Sequence, residues 1–124
     1  MYAIFMLERS MVMVKRNIES YFEGIIENIN IIMNDDFYDE KDKIILETVK
    51  EKIENWYKSY KYEDTLKKID IKTLEYIDLE ITDFFDKYLE KESVKGNYSE
   101  RLSYDFGKLE DYWKNEMLGG KINE

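Results

Sequence analysis

Apolar residues recur three and four positions apart along almost the whole chain. This spacing places them on one face of an α-helix. The first series predicts a helix over residues 10–33. Residues 1–9 extend the pattern less regularly, and they predict a helix extension, a short strand or a tail. The members of this first series are Ile4, Leu7, Met11, Val14, Ile18, Phe22, Ile25, Ile29 and Ile32.

Polar segments with turn-forming residues separate three further helices, predicted over residues 40–60, 71–92 and 99–118. Asp39, Asp70 and Ser99 precede the apolar series and fit the N-cap position. Gly119 follows the last series, where glycine tolerates the left-handed conformation that ends a helix. The predicted inward positions are Ile45, Val49, Ile53, Trp56 and Tyr60, then Leu74, Ile77, Ile81, Phe84, Phe85 and Tyr88, then Leu102, Phe106, Leu109, Trp113 and Met117.

Four helices joined by short connections predict an all-α fold, a single-domain antiparallel bundle over residues 1–124. No proline and only five glycines interrupt the chain. The connections predicted are a polar break after residue 33 and a turn at 94–97. The sequence leaves the conformation of residues 61–70 open, with one short helical turn between Asp64 and Ile69 as an alternative.

The composition narrows the function classes. The chain has 28 acidic and 19 basic side chains, a net charge of −9, and neither His nor Cys. These absences exclude a Ser-His-Asp triad, a Cys nucleophile and zinc–thiolate sites. Because phosphate binding needs clustered Lys and Arg, the acidic balance argues against direct contact with nucleic acid and suits a basic protein partner.

The sequence also suggests where the protein works. No apolar run approaches the roughly 20 residues of a membrane-spanning helix. The apolar start lacks the basic n-region and the cleavage site of a signal peptide. We therefore expect no membrane association and a cytoplasmic location. A bias toward Ile, Lys and Tyr with almost no Ala is typical of an AT-rich bacterial, phage or plasmid genome.

Acidic residues concentrate in the third predicted helix, where no base occurs between Glu75 and Asp86. On a helical wheel, one flank carries an apolar residue among carboxylates, which is typical of a docking site for a basic protein. The alternative is that Leu79 packs under a loop and the acids only solvate the helix. The candidate residues are Glu75, Asp78, Leu79, Asp83, Asp86 and Glu90.

Aromatic residues cluster near the end of the second predicted helix. Trp56 and Tyr60 lie on its inward stripe and are expected in the core. Tyr57 and Tyr62 lie off the stripe, and we consider them candidates for partner binding because tyrosine combines a large contact area with a polar tip.

Two carboxylate pairs provide the enzyme alternative, Glu51-x-x-Glu54 and Glu75-x-x-Asp78 on consecutive predicted helices. Pairs of this kind can hold Mg²⁺ against substrate phosphates. Their spacing resembles that of the all-α nucleotide pyrophosphohydrolases of the MazG and dimeric dUTPase type, and the resemblance implies Mg²⁺-dependent pyrophosphate release. The sequence departs from that family at Lys50, where a further Glu is usual.

Three functional hypotheses follow. The first is a small acidic inhibitor without cofactor or catalytic residues. It would neutralise a basic protein, such as a nuclease, in the manner of toxin-immunity proteins, antitoxins or phage anti-defence proteins. The second is the Mg²⁺-dependent pyrophosphohydrolase. The third is a structural or regulatory subunit that forms a homodimer through the N-terminal helix, where Ile4, Leu7 and Met11 project beyond the other helices.

Overall fold

The computed structural model describes residues 2–92 and 97–119, with side chains from residue 18 onward. It contains four α-helices, in agreement with the predicted all-α class. They are α1 (Tyr2–Met33), α2 (Glu40–Glu63), α3 (Ile71–Tyr88) and α4 (Tyr98–Met117). The predicted turn at 94–96 and the side chains of Ile4, Leu7, Met11 and Val14 lie outside the described part.

The helices form a four-membered ring of neighbours. Within the described residues, α1 packs on α2 and α4, while α3 packs on the same two helices from the other side, and neither diagonal pair is in contact. Consecutive helices are joined by short connections, so neighbours run antiparallel, as in an up-and-down bundle. The predicted bundle is therefore confirmed.

The interior is built from the faces that the apolar spacing predicts. In α1 the five described members of the series, Ile18, Phe22, Ile25, Ile29 and Ile32, have no exposed surface. In α2 the prediction of Ile45 is wrong, since Leu46 is buried in its place and Ile45 lines the groove toward α3. Phe85 and Trp113 are half-buried, and Met117 is 49% exposed, so the predicted faces of α3 and α4 were too wide.

The structure defines the start of α1, the end of α2 and the segment that follows α2. The first helix begins at Tyr2, so the helix extension is the alternative that the structure supports. The second continues to Glu63 and ends with Asp64 in the left-handed conformation, its N–H donating to the Tyr60 carbonyl. The segment after it, which the sequence left open, is a loop with a turn at Lys67 and Lys68 and contains no helical turn.

The connection between α3 and α4 is organised by a buried carboxylate. The third helix ends at Tyr88, four residues before the predicted end. Beyond it, Glu92 is 1% exposed and accepts hydrogen bonds from the backbone N–H of Ser99 (3.0 Å), the Ser99 hydroxyl (2.5 Å) and the Tyr38 hydroxyl (2.5 Å). The predicted N-cap Ser99 is also wrong, because Asn97 holds that position and Ser99 lies in the first turn.

The two other predicted caps are at the expected residues. Asp70 accepts hydrogen bonds from the backbone N–H groups of Lys72 (3.2 Å) and Thr73 (3.3 Å). Asp39 is the N-cap of α2 but makes no side-chain cap hydrogen bond. Gly119 follows α4 with a φ of 76°, as a glycine stop requires. In the described part of the chain, no helix has the length and apolarity needed to cross a membrane.

Candidate functional site: an acidic surface on α3

One face of α3 is fixed inward by its apolar stripe. Leu74, Ile77, Ile81, Phe84 and Tyr88 are all buried, at the three- and four-residue steps of a helix. The Asp70 cap sets where the helix begins, and therefore which positions point outward. The residues between the stripe positions must then face solvent or the edges of the neighbouring helices.

The structure places all six predicted residues of this region on the surface. We define them as the α3 acidic surface: Glu75, Asp78, Leu79, Asp83, Asp86 and Glu90. Leu79 is 56% exposed, so it does not pack under a loop. At helical spacing it has Glu75 and Asp83 four residues away on either side, and Asp86 seven residues ahead.

Two further apolar side chains lie along the same helix. Ile71, at its first residue, is 54% exposed, and Leu89, just past its last residue, is 39% exposed. With Leu79 in the middle, exposed apolar groups therefore occur at both ends and at the centre of the α3 acidic surface. Sequence reasoning missed Ile71 and Leu89, although the helical wheel places both on the outward half.

The carboxylates do not occupy a single flank, as the wheel had indicated. Asp78 lies at the α4 edge, where its charge raises the pKa of Glu110 of α4. Asp83 lines the groove toward α2, together with Asp42 and Lys87. The α3 acidic surface thus extends from the α4 edge to the groove beside α2.

One base of α3, Lys87, is engaged by carboxylates of α2. The Lys87 ammonium lies 2.9 Å from an Asp39 carboxylate oxygen and 2.8 Å from one of Asp42, both at the start of α2. These contacts raise the pKa of Lys87, and the Lys87 contact lowers that of Asp39. Among the described residues, no ion pair includes a carboxylate of the α3 acidic surface.

A second carboxyl group, Glu110 of α4, lies beside Asp78 at the α4 edge. Glu110 is half-buried, and its pKa is raised to about 7 by burial first and by the charge of Asp78 second, with Asp111 adding to the effect and Lys114 opposing it. Sequence reasoning missed Glu110, because only packing of α4 on α3 brings it to Asp78.

Glu110→Gln is expected to change how stability depends on pH. The pKa of Glu110 is raised from 4.5 to about 7 on folding, so the folded state binds the proton more tightly and wild-type stability falls as pH rises through that window. Between pH 4.5 and 7, the free energy of unfolding of the wild type should fall by about 1–2 kcal/mol relative to that of the variant. Urea denaturation at several pH values measures the difference. The exposed Glu100→Gln serves as control, and parallel curves for wild type and Glu110→Gln would contradict the prediction.

The two candidate tyrosines have different environments. Tyr57 is 8% exposed, stacks on Phe22 with ring centroids 4.7 Å apart, and donates its hydroxyl hydrogen bond to Glu23 at 2.9 Å. Burial and this hydrogen bond raise the pKa of Tyr57. It is a core residue, contrary to the prediction, and is left out of the surface. Tyr62 is 90% exposed near the end of α2.

The carboxylates of the enzyme alternative do not converge. Glu51 is exposed and Glu54 is half-buried on α2, whereas Asp78 lies at the opposite, α4 edge of α3. Within the described residues, no group of three or more potential ligands is arranged to hold a metal ion. The geometry therefore gives the pyrophosphohydrolase resemblance no support.

No protein-family model matches the chain, and comparison with curated proteins and with solved structures finds no significant similarity. The functional interpretation therefore depends on the α3 acidic surface itself. Carboxylates that form no ion pair among the described residues and lie beside exposed apolar groups can attract and hold a basic surface.

Proposed function

We propose that the chain is a small acidic binding protein that neutralises a basic protein partner through the α3 acidic surface. The main support is the engagement of Lys87 by Asp39 and Asp42. Among the described residues, none of the five carboxylates of the α3 acidic surface forms an ion pair, and Leu79 is exposed on the same surface. A partner's Lys and Arg side chains would supply the missing charges.

The expected mode of action is replacement of nucleic-acid phosphates by carboxylates. A nuclease or another nucleic-acid-binding protein presents a basic surface that normally contacts phosphates. The α3 acidic surface would cover it, with Leu79 as an apolar anchor and the charges at its rim. This mode suits a toxin-immunity protein, an antitoxin or a phage anti-defence protein acting in the cytoplasm.

Charge reversal of the surface tests this proposal. The variant Asp78→Lys, Asp83→Lys, Asp86→Lys is expected to weaken binding of a basic ribonuclease, or of a lysine- and arginine-rich peptide, by about 100-fold at low salt. Wild-type affinity should itself fall as salt rises, because screening weakens exposed charge pairs. Fluorescence anisotropy over a salt series gives both results.

A matched control distinguishes the effect of the α3 acidic surface on binding from the effect of net charge. The variant Glu27→Lys, Glu47→Lys, Glu51→Lys changes the net charge by the same amount at exposed positions of α1 and α2. It should retain most of the wild-type affinity. Equal weakening by both triple variants, or full affinity of the α3 variant at low salt, would refute the proposed surface.

A further inference from the structure

A groove between α2 and α3, which we call the α2–α3 groove, opens beside the α3 acidic surface. Its cavity has a volume of about 170 Å³. Leu46 and Phe84, which are 1% and 5% exposed, form its floor, and Ile45 is half-buried in its wall. The carboxylate side chains of Glu80 and Asp83 also line it. An apolar floor with carboxylates near solvent suits a side chain that has an alkyl stem and a cationic end.

One end of the α2–α3 groove already holds a cation. The Lys87 ammonium lies 2.8 Å from a carboxylate oxygen of Asp42 and 2.9 Å from one of Asp39. The Tyr88 hydroxyl donates a hydrogen bond to the same Asp42 oxygen at 2.6 Å. This end is therefore filled by the chain itself, and it shows that carboxylates at the groove bind a side-chain cation.

The other end offers carboxylates without such a cation. Glu80 lies seven residues before Lys87, about 10 Å away along the helix axis, and Asp83 lies between them. Among the described residues, neither Glu80 nor Asp83 forms an ion pair. Lys52 of α2 lies over the ring of Tyr76, with its ammonium 5.4 Å from the ring centroid. The described part of the chain thus supplies no paired base at this end.

A guanidinium group fits this end better than an ammonium does. Glu80 and Asp83 are three residues apart, so they are neighbours on one side of the helix. A guanidinium carries five N–H donors in a planar fork and can contact two carboxylates at once. It is also more weakly hydrated than an ammonium, so it enters a half-buried site such as that of Glu80 at a lower desolvation cost.

We propose that the α2–α3 groove takes one arginine side chain of the basic partner. The alkyl stem would lie on Leu46 and Phe84, and the guanidinium would contact Glu80 and Asp83. The inference rests on the proposed function, because the arginine belongs to the partner that the α3 acidic surface attracts. It adds Glu80 as a binding residue outside that surface. The exposed carboxylates attract any basic partner, whereas the groove distinguishes arginine from lysine.

Two basic peptides test the proposal. They have the same length and differ only in carrying arginine or lysine at every basic position. The wild type should bind the arginine peptide about tenfold more tightly, measured by fluorescence anisotropy at low salt. Glu80→Gln should lose most of this preference. Glu75→Gln, the matched control on the α3 acidic surface outside the groove, should weaken binding of both peptides by the same factor.

A second pair of variants tests the shape of the groove without changing a charge. Ile45→Phe narrows the α2–α3 groove and should reduce the arginine preference to about twofold or less. Ile44→Phe is its matched control, because Ile44 is the adjacent residue, is 64% exposed and does not line the groove. This control should keep the preference. Circular dichroism identifies any variant with an altered fold, and Glu80→Gln alone decides the test if Ile45→Phe is one of them.

The outcomes separate this inference from the proposed function. Equal affinity of the wild type for the two peptides would overturn the inference, and so would an arginine preference that survives in Glu80→Gln. Either result leaves the proposed function intact, since both peptides still bind. If neither peptide binds the wild type at low salt, the proposed function is contradicted and the inference with it.

Discussion

Replacing Glu92 by alanine is expected to lower the free energy of unfolding by about 3 kcal/mol. The side chain is 1% exposed and accepts hydrogen bonds from the Tyr38 hydroxyl and from both the backbone N–H and the hydroxyl of Ser99. Alanine would leave these buried donors without a partner. It would also release the contact that joins the α1–α2 loop to the start of α4.

Chemical denaturation of wild type and variant gives this difference directly. Glu90→Ala is the matched control, because Glu90 lies two residues earlier and is exposed. It should change the free energy of unfolding by less than about 0.5 kcal/mol. If Glu92→Ala and Glu90→Ala behave alike, the buried carboxylate does not hold the α3–α4 connection.

The second large effect is expected from Phe22→Ala, with a loss of about 4 kcal/mol in the free energy of unfolding. Phe22 has no exposed surface, and its ring centroid lies 5.1 Å from that of Trp56, 4.7 Å from that of Tyr57 and 5.8 Å from that of Tyr60. Alanine would leave a cavity between α1 and α2 that these rigid rings cannot fill.

Urea denaturation followed by far-ultraviolet circular dichroism measures this loss. Phe22→Leu keeps most of the volume, and we expect a cost of about 1–1.5 kcal/mol. An alanine variant as stable as the leucine variant would show that the aromatic cluster is not tightly packed. Neither substitution changes a residue of the α3 acidic surface, so binding of a basic probe below the unfolding transition should be retained.

Helix capping shows how far local sequence signals reach. Asp70 was predicted as a cap and accepts hydrogen bonds from two backbone N–H groups of its own helix. Asp39 is also an aspartate at the N-cap of its helix, but its carboxylate pairs with Lys87. Sequence alone cannot separate the two, because the competing cation lies 48 residues further along the chain.

The predicted end of α3 was wrong for a related reason. Apolar spacing and polar composition allow a helix to continue to Glu92, and a glutamate is unremarkable in a predicted helix. The early end at Tyr88 depends on burial of the Glu92 carboxylate against Ser99 and Tyr38. Those partners are on other parts of the chain, so no periodicity within α3 reports them.

The sequence by itself determined the four helices, the buried stripe of α1 and the outward position of Leu79 among the acids of α3. These follow from the 3.6-residue repeat of a helix, which neighbouring residues set. The tertiary structure decided which charges are compensated: Lys87 is engaged by α2, Asp78 meets Glu110, and Tyr57 enters the core. Such pairings join residues more than 30 positions apart, so they depend on how the helices pack.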